Sequence, residues 1–198
     1  MPRLEFWYEF ASTYSYLSAM RIEALARERG VEIDWRPFLL GPIFKAQGWE
    51  TSPFNLYPAK GRYMIRDIER VAAVRGLVFH IPSTFPGNGL QAARLALVGR
   101  EEGFVAPFTR AVYVAQFAQR RDIGDAGVLK AVLEGLCLDS SRLFSVSETP
   151  GVKRRLREDT AAAKAHGMFG APTFRTADGE VFWGDDRLEQ ALDWALAH

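Results

Sequence analysis

The residues of this 198-residue chain best placed to do chemistry lie in one short stretch. Ser12-Thr13-Tyr14-Ser15 has the spacing of a C-x-x-C redox motif, with a serine at each end. Before it, Leu4, Phe6, Tyr8 and Phe10 alternate with Glu5, Trp7 and Glu9, the period of two that marks a strand. After it, Tyr14, Leu17, Ile22 and Leu25 fall on one side of a helix, while Arg21, Glu23, Arg27, Glu28 and Arg29 cover much of the rest. The motif therefore sits where a strand hands over to a helix. A serine there has two readings. It can be an N-cap, its oxygen accepting an N–H of the first turn. It can also face a ligand, because a strand end and a helix N-terminus together offer unpaired N–H groups and a favourable dipole to an anion or thiolate. Spacing alone does not choose between them.

Other candidate chemistry is thin. The single cysteine, Cys137, cannot form an intramolecular disulfide or a dithiol couple, and its neighbours in L-E-G-L-C-L-D predict a buried packing residue. Thiol chemistry would have to come from outside. His80, His166 and His198 are scattered, with no i, i+4 pair, so no metal site is expected. No G-x-S-x-G or Gly-rich phosphate loop occurs, and Lys153-Arg154-Arg155-Leu156-Arg157, followed by Glu158-Asp159, reads as a solvated helix face. Lys plus Arg number 25 against 24 Asp plus Glu, so a net charge of +1 makes no electrostatic case for nucleic acid or an anionic membrane. Met1-Pro2-Arg3 runs straight into the first strand, and no segment approaches the length of an apolar membrane span, so a cytoplasmic protein is expected.

The elements that must position the motif follow in order. Gly30 suits a helix end, and Ile33 and Trp35 alternate with Glu32, Asp34 and Arg36 up to Pro37 as a second strand. That is a β-α-β unit with parallel strands. Residues 41–60 read as an irregular connection, and residues from about 59 to 166 as a run of helices, the last from Pro150 to His166. Strand signals return at Thr173–Thr176 and Glu180–Trp183, with Asp178-Gly179 as a hairpin cue between them. Asp186 then can cap a last helix, with Glu189 completing a capping box. A β-α-β half and a β-β-α half make an α/β thioredoxin-like topology: residues 1–60 and 167–198 form the discontinuous thioredoxin-like domain and 61–166 an inserted helical domain. Pro172 fits a strand-opening proline, and in this topology the Ala171-Pro172 bond would be cis and lie opposite the motif's helix.

Four stretches carry a more specific signal: F-A-S-T-Y-S-Y-L, P-A-K-G-R-Y-M-I-R-D-I-E-R, G-M-F-G-A-P-T-F and F-W-G-D-D-R-L. Together, and in this order, they resemble the DsbA-like branch that holds kappa-class glutathione transferases and, more closely, 2-hydroxychromene-2-carboxylate isomerases. The resemblance implies glutathione in a cleft between the two domains. It implies that Ser12 faces the glutathione sulfur, that Ala171, before cis-Pro172, offers backbone hydrogen bonds to the cysteinyl part, that Asp185 and Asp186 meet the γ-glutamyl end, and that Lys60 contacts a carboxylate. From the residues alone, Asp186 reads as a helix cap and Lys60 as a solvated lysine. Tyr63 and Trp49 are candidates to line the substrate side, or core residues. The chain departs from the family pattern at Thr13, where many relatives have proline, in the loop G-W-E-T-S-P-F-N, and at Asp185, where relatives often carry serine or asparagine.

The activity so implied is a glutathione-dependent isomerisation of 2-hydroxychromene-2-carboxylate and trans-o-hydroxybenzylidenepyruvate through transient thiolate addition. A small aromatic carboxylate would be the substrate and a homodimer the assembly. A kappa-like transferase or peroxidase is the alternative within enzymes, and a non-catalytic thioredoxin-fold binding module the alternative outside them.

Overall fold

A β-α-β half and a β-β-α half meet on one four-stranded sheet, of order β2-β1-β3-β4, in a computed structural model that describes residues 1–48 and 57–198. Strand β1 (Arg3–Tyr8) pairs in parallel with β2 (Glu32–Pro37), with Leu4 opposite Ile33 and Phe6 opposite Trp35. On its other side β1 runs antiparallel to β3 (Thr173–Thr176), which in turn pairs antiparallel with β4 (Val181–Trp183). The β-α-β and β-β-α pattern read from the residues is the one observed. The hairpin turns at Asp178-Gly179; Gly179 has φ +95°, a left-handed value that suits glycine.

The helix after Ser12 is two helices, not the continuous one expected. Helix α1 spans Thr13–Ala19 and α2 spans Ile22–Arg29. The break has a tertiary cause: the Arg21 guanidinium donates to the Asp185 carbonyl at 2.8 Å and pairs with Glu189, tying the junction to the C-terminal segment. Gly30 closes α2 in the left-handed conformation, as its position suggests. The connection expected to be irregular contains a helix, α3 (Leu40–Ala46), whose first turn tolerates Pro42 because that N–H would have had no partner.

The helical run comprises α4 (Pro58–Val74), α5 (Leu90–Glu102), α6 (Val105–Tyr113) with a π-turn over Val114–Ala118, α7 (Ala126–Gly135), α8 (Ser140–Ser147) and α9 (Pro150–Ala165). Cys137 is exposed, not buried: it sits in the left-handed region just after α7, with φ +59°, where the chain turns outward. After β4, a 3₁₀ turn (Asp185–Arg187) leads into α10 (Leu188–Ala197). That turn displaces the expected cap: Arg187 holds the position before α10, Asp186 makes no capping bond, and Glu189 pairs with Arg21 instead.

One continuous buried cluster joins the sheet to the helices, from Leu4, Phe6 and Phe174 through Tyr8 and Tyr113 to Ala92, Leu97 and Phe108. Stacked and edge-on rings link Phe6 to Tyr8, Trp35 and Phe174, and Tyr8 to Tyr113. Both faces of β1 are covered, since Trp7 packs against Phe38, Ile43 and Met168 on the far side. Among the described residues no helix is long and apolar enough to cross a membrane.

Candidate functional site

Ser12 caps the first helix and reaches across the fold with the same hydroxyl. Its backbone is extended (φ −80°, ψ 115°), and its Oγ accepts the Ser15 N–H at 3.2 Å, an N-cap. The same hydroxyl donates to the Ala171 carbonyl at 2.8 Å, across the chain from the start of β3. The Ala171-Pro172 bond is cis and Pro172 is buried, so the loop ends facing the first turn of α1. The loop is held from behind: Thr173 Oγ1 donates to the Gly170 carbonyl at 2.9 Å, and Gly184 N–H to the Pro172 carbonyl at 3.0 Å. Three N–H groups around Ser12, those of Thr13, Tyr14 and Ala171, have no partner among the described residues. A hydroxyl and three free donors thus surround the junction, a set suited to an anionic or acceptor-rich ligand.

Neighbouring groups fix this arrangement. The Tyr14 hydroxyl donates to Asp67 at 2.9 Å, which ties α1 to α4, and burial together with that carboxylate pushes the phenol above its ordinary range. The rings of Phe169 and Trp183 meet at 4.8 Å, tilted by 59°, beside the loop, each about half exposed (50% and 52%), an apolar surface next to the free donors.

The remaining expected contacts are distributed unevenly. Asp185 is buried, and its carboxylate is taken up inside the protein: Arg75 reaches both oxygens at 3.0 and 2.7 Å, Ser18 donates at 2.9 Å, and Arg21 lies at 3.5 Å. Asp186 is exposed, with Arg187 at 3.7 Å. Two residues before it, Gly184 bonds to Pro172 with a φ of +113° that no other residue adopts readily, and a side chain at 184 would meet Asp186 Oδ1 at 2.6 Å. Lys60 stands exposed in the first turn of α4. Tyr63 is exposed, with the Arg70 guanidinium 5.7 Å from its ring, and Trp49 lies outside the described residues. The structure therefore joins Ser12 to Ala171, beside cis-Pro172, leaves the Asp186 and Lys60 side chains exposed, and engages the Asp185 carboxylate inside the protein.

Sequence reasoning passed over Glu9. Its Oε2 accepts the Ala11 N–H at 2.9 Å, while its carbonyl accepts the Ser12 N–H at 3.0 Å and the Tyr113 hydroxyl at 2.9 Å. Burial pushes its carboxyl up to about 7, against the Ala11 bond, which acts the other way. The available signal was its place on the strand face of Trp7, three residues before Ser12.

A cavity of about 470 Å³ opens elsewhere, beside β2. Its arginines are committed: Arg3, Arg36 and Arg100 pair with Asp34, and Arg155 with Glu101. It holds an ion-pair network whose charges cancel.

A family model described as a DSBA-like thioredoxin domain matches residues 3–194. A 2-hydroxychromene-2-carboxylate isomerase of Sphingobium xenophagum is 29% identical over 188 residues, covering 94% of each chain. Glutathione S-transferase kappa 1 of Homo sapiens is 29% identical over 206 residues, covering 96% of this chain and 89% of its own. Among solved structures, a 2-hydroxychromene-2-carboxylate isomerase superposes with a TM-score of 0.87 at 25% identity, covering 98% of this chain and 94% of that one.

Proposed function

The chain belongs to the DSBA-like thioredoxin domain family, and from that premise we propose that it is a glutathione-dependent isomerase acting on 2-hydroxychromene-2-carboxylate or a related aromatic carboxylate. The observation that carries the reading is the Ser12 hydroxyl at the head of α1, 2.8 Å from the carbonyl that precedes a cis-proline, in a chain whose one cysteine lies elsewhere and exposed. With serines at both ends of the motif, a dithiol mechanism has no second sulfur.

The residues present fit glutathione. Ser12 has one hydroxyl proton, now given to Ala171; a thiolate is the stronger acceptor, so the hydroxyl turns from the carbonyl to the sulfur on binding. The Thr13 and Tyr14 N–H groups add positive potential at the same point. The Ala171 N–H pairs with the peptide of the cysteinyl part, Asp186 accepts the γ-glutamyl ammonium, and Lys60 meets a carboxylate. Asp185 positions: it holds α1, α4 and the 3₁₀ turn together through Ser18, Arg75 and Arg21. When bound, glutathione supplies a nucleophilic thiolate that adds to a conjugated carbon and leaves again, after the former double bond has rotated. The ring of the substrate rests on the Phe169 and Trp183 pair. The domain division at residues 60/61 and 166/167, and a homodimer, belong to the same proposal.

Calorimetric titration with reduced glutathione tests it. Binding that weakens in both Lys60→Ala and Asp186→Ala is expected, and Ser12→Ala should reduce turnover of a chromene carboxylate much more than affinity. An absence of binding at millimolar glutathione would overturn the proposal. A second reading, a kappa-like transferase, is favoured by the human relative at the same identity as the isomerase. Stoichiometric loss of free thiol during turnover would select it.

A further inference from the structure

Glu9 is unlike the other sheltered carboxylates of the protein. Glu5, four residues earlier, has Arg36 and Arg175 within 4 Å; Asp34, Asp159, Asp67, Glu23 and Asp185 each have an arginine as well. Glu9 has no cation among the described residues. Strand β2 ends opposite Tyr8 at Pro37 and β3 begins opposite Trp7 at Thr173, so no residue of either strand is paired with it. From the other side Gly89 closes over it: a side chain there would meet Glu9 Oε1 at 3.1 Å and Phe10 Cβ at 2.9 Å. The titratable group that faces it from a packed element is Tyr113 of α6, whose hydroxyl is already given to the Glu9 carbonyl. The remaining contact of its carboxylate is the Ala11 N–H, one residue before Ser12.

A carboxyl so placed has a vacancy for a proton and none for a cation. We propose that Glu9 is a positioning residue that shares one proton with the thiol bound at Ser12: the S–H bond breaks, its electron pair stays on sulfur, and the proton passes through cleft water to Glu9, which becomes neutral. The reverse transfer restores the thiol on release. Two negative charges on one turn are thereby avoided, and the two sites titrate as a pair. A carboxyl already raised to about 7 is matched to a thiol whose ordinary value is about 8.5 and which a helix N-terminus lowers. The inference rests on glutathione binding at Ser12.

The test counts protons. Glutathione is titrated into the wild type, Glu9→Gln and Glu9→Asp by calorimetry at pH 7.5, in buffers of different ionisation enthalpy, so that net proton release is read directly. Glutamine keeps an oxygen for the Ala11 N–H and cannot take the proton. Glu9→Gln should release more protons than the wild type, by about half a proton or more, because the ionising thiol then gives its proton to solvent. Glu9→Asp should release as many as the wild type. Equal release by the wild type and Glu9→Gln, with binding intact, would overturn the inference and leave the glutathione reading standing. No binding to the wild type would overturn both.

Discussion

Replacing Asp185 by serine separates a structural carboxylate from a ligand contact. In the fold Asp185 is 5% exposed and gathers Ser18 of α1, Arg21 at the α1–α2 break and Arg75 just after α4. Removing one partner of a buried ion pair costs about 3–5 kcal/mol, because the remaining charge is left uncompensated. Arg21 and Arg75 keep 20% and 26% side-chain exposure and can turn toward water. The Ser18 hydroxyl, fully buried, can still find the new serine oxygen. The lower end of the range therefore applies, about 3 kcal/mol. Urea denaturation followed by circular dichroism at pH 7 reads this as a lower midpoint with an unchanged slope. The double variant with Arg75→Ala should lose less than the sum of the two single variants, since no guanidinium is then stranded. Glutathione affinity, measured below the transition, should stay near that of the wild type. A loss under about 1 kcal/mol accompanied by weaker glutathione binding would refute the assignment and return Asp185 to the ligand.

Two further outcomes follow from named contacts. Gly184→Ala forces a side chain into φ +113° and against Asp186 Oδ1, so it should cost about 1–3 kcal/mol and, by displacing Asp186, weaken glutathione binding; thermal unfolding and calorimetry check both. Glu9 titrates at about 7 in the fold against 4.5 for a free side chain. A raised carboxyl contributes stability below its unfolded value and loses it as pH rises through the folded one, here between about 4.5 and 7. At about 1.4 kcal/mol per pH unit, Glu9→Gln should gain up to roughly 3 kcal/mol on the wild type between pH 4.5 and 8, and a difference that stays flat across that range would contradict the shift.

Periodicity carried the sheet and most helices because their apolar rows repeat locally along the chain. Leu4, Phe6 and Tyr8 could be read as a strand, and Asp178-Gly179 as its later hairpin, without tertiary knowledge. The misreadings come from distant partners. Nothing near Arg21 announces Asp185 and Glu189, which break the helix, and nothing near Asp186 announces the 3₁₀ turn that takes it out of the cap position. Gly41-Pro42 hid α3, since proline in a first turn and proline in a loop look alike along the chain. Ser12 and Ala171-Pro172 were legible through motif order. Glu9 was not, because nothing near it along the chain announces Gly89 and Tyr113, which close over it from distant segments.

The sheet order has a consequence for how the molecule comes into being. Strand β1 is central, yet the partner on one of its edges is made almost last: Leu4 pairs with Thr176. During synthesis β1 and β2 can meet early, but the other edge of β1 stays open until the segment that carries β3 leaves the ribosome. Contacts this distant along the chain slow folding, and the helices from α4 to α9 are available to shelter the apolar face of β1 in the meantime. The Ala171 loop arrives with β3, so a chain synthesised only as far as residue 170 presents Ser12 without the carbonyl that faces it in the fold.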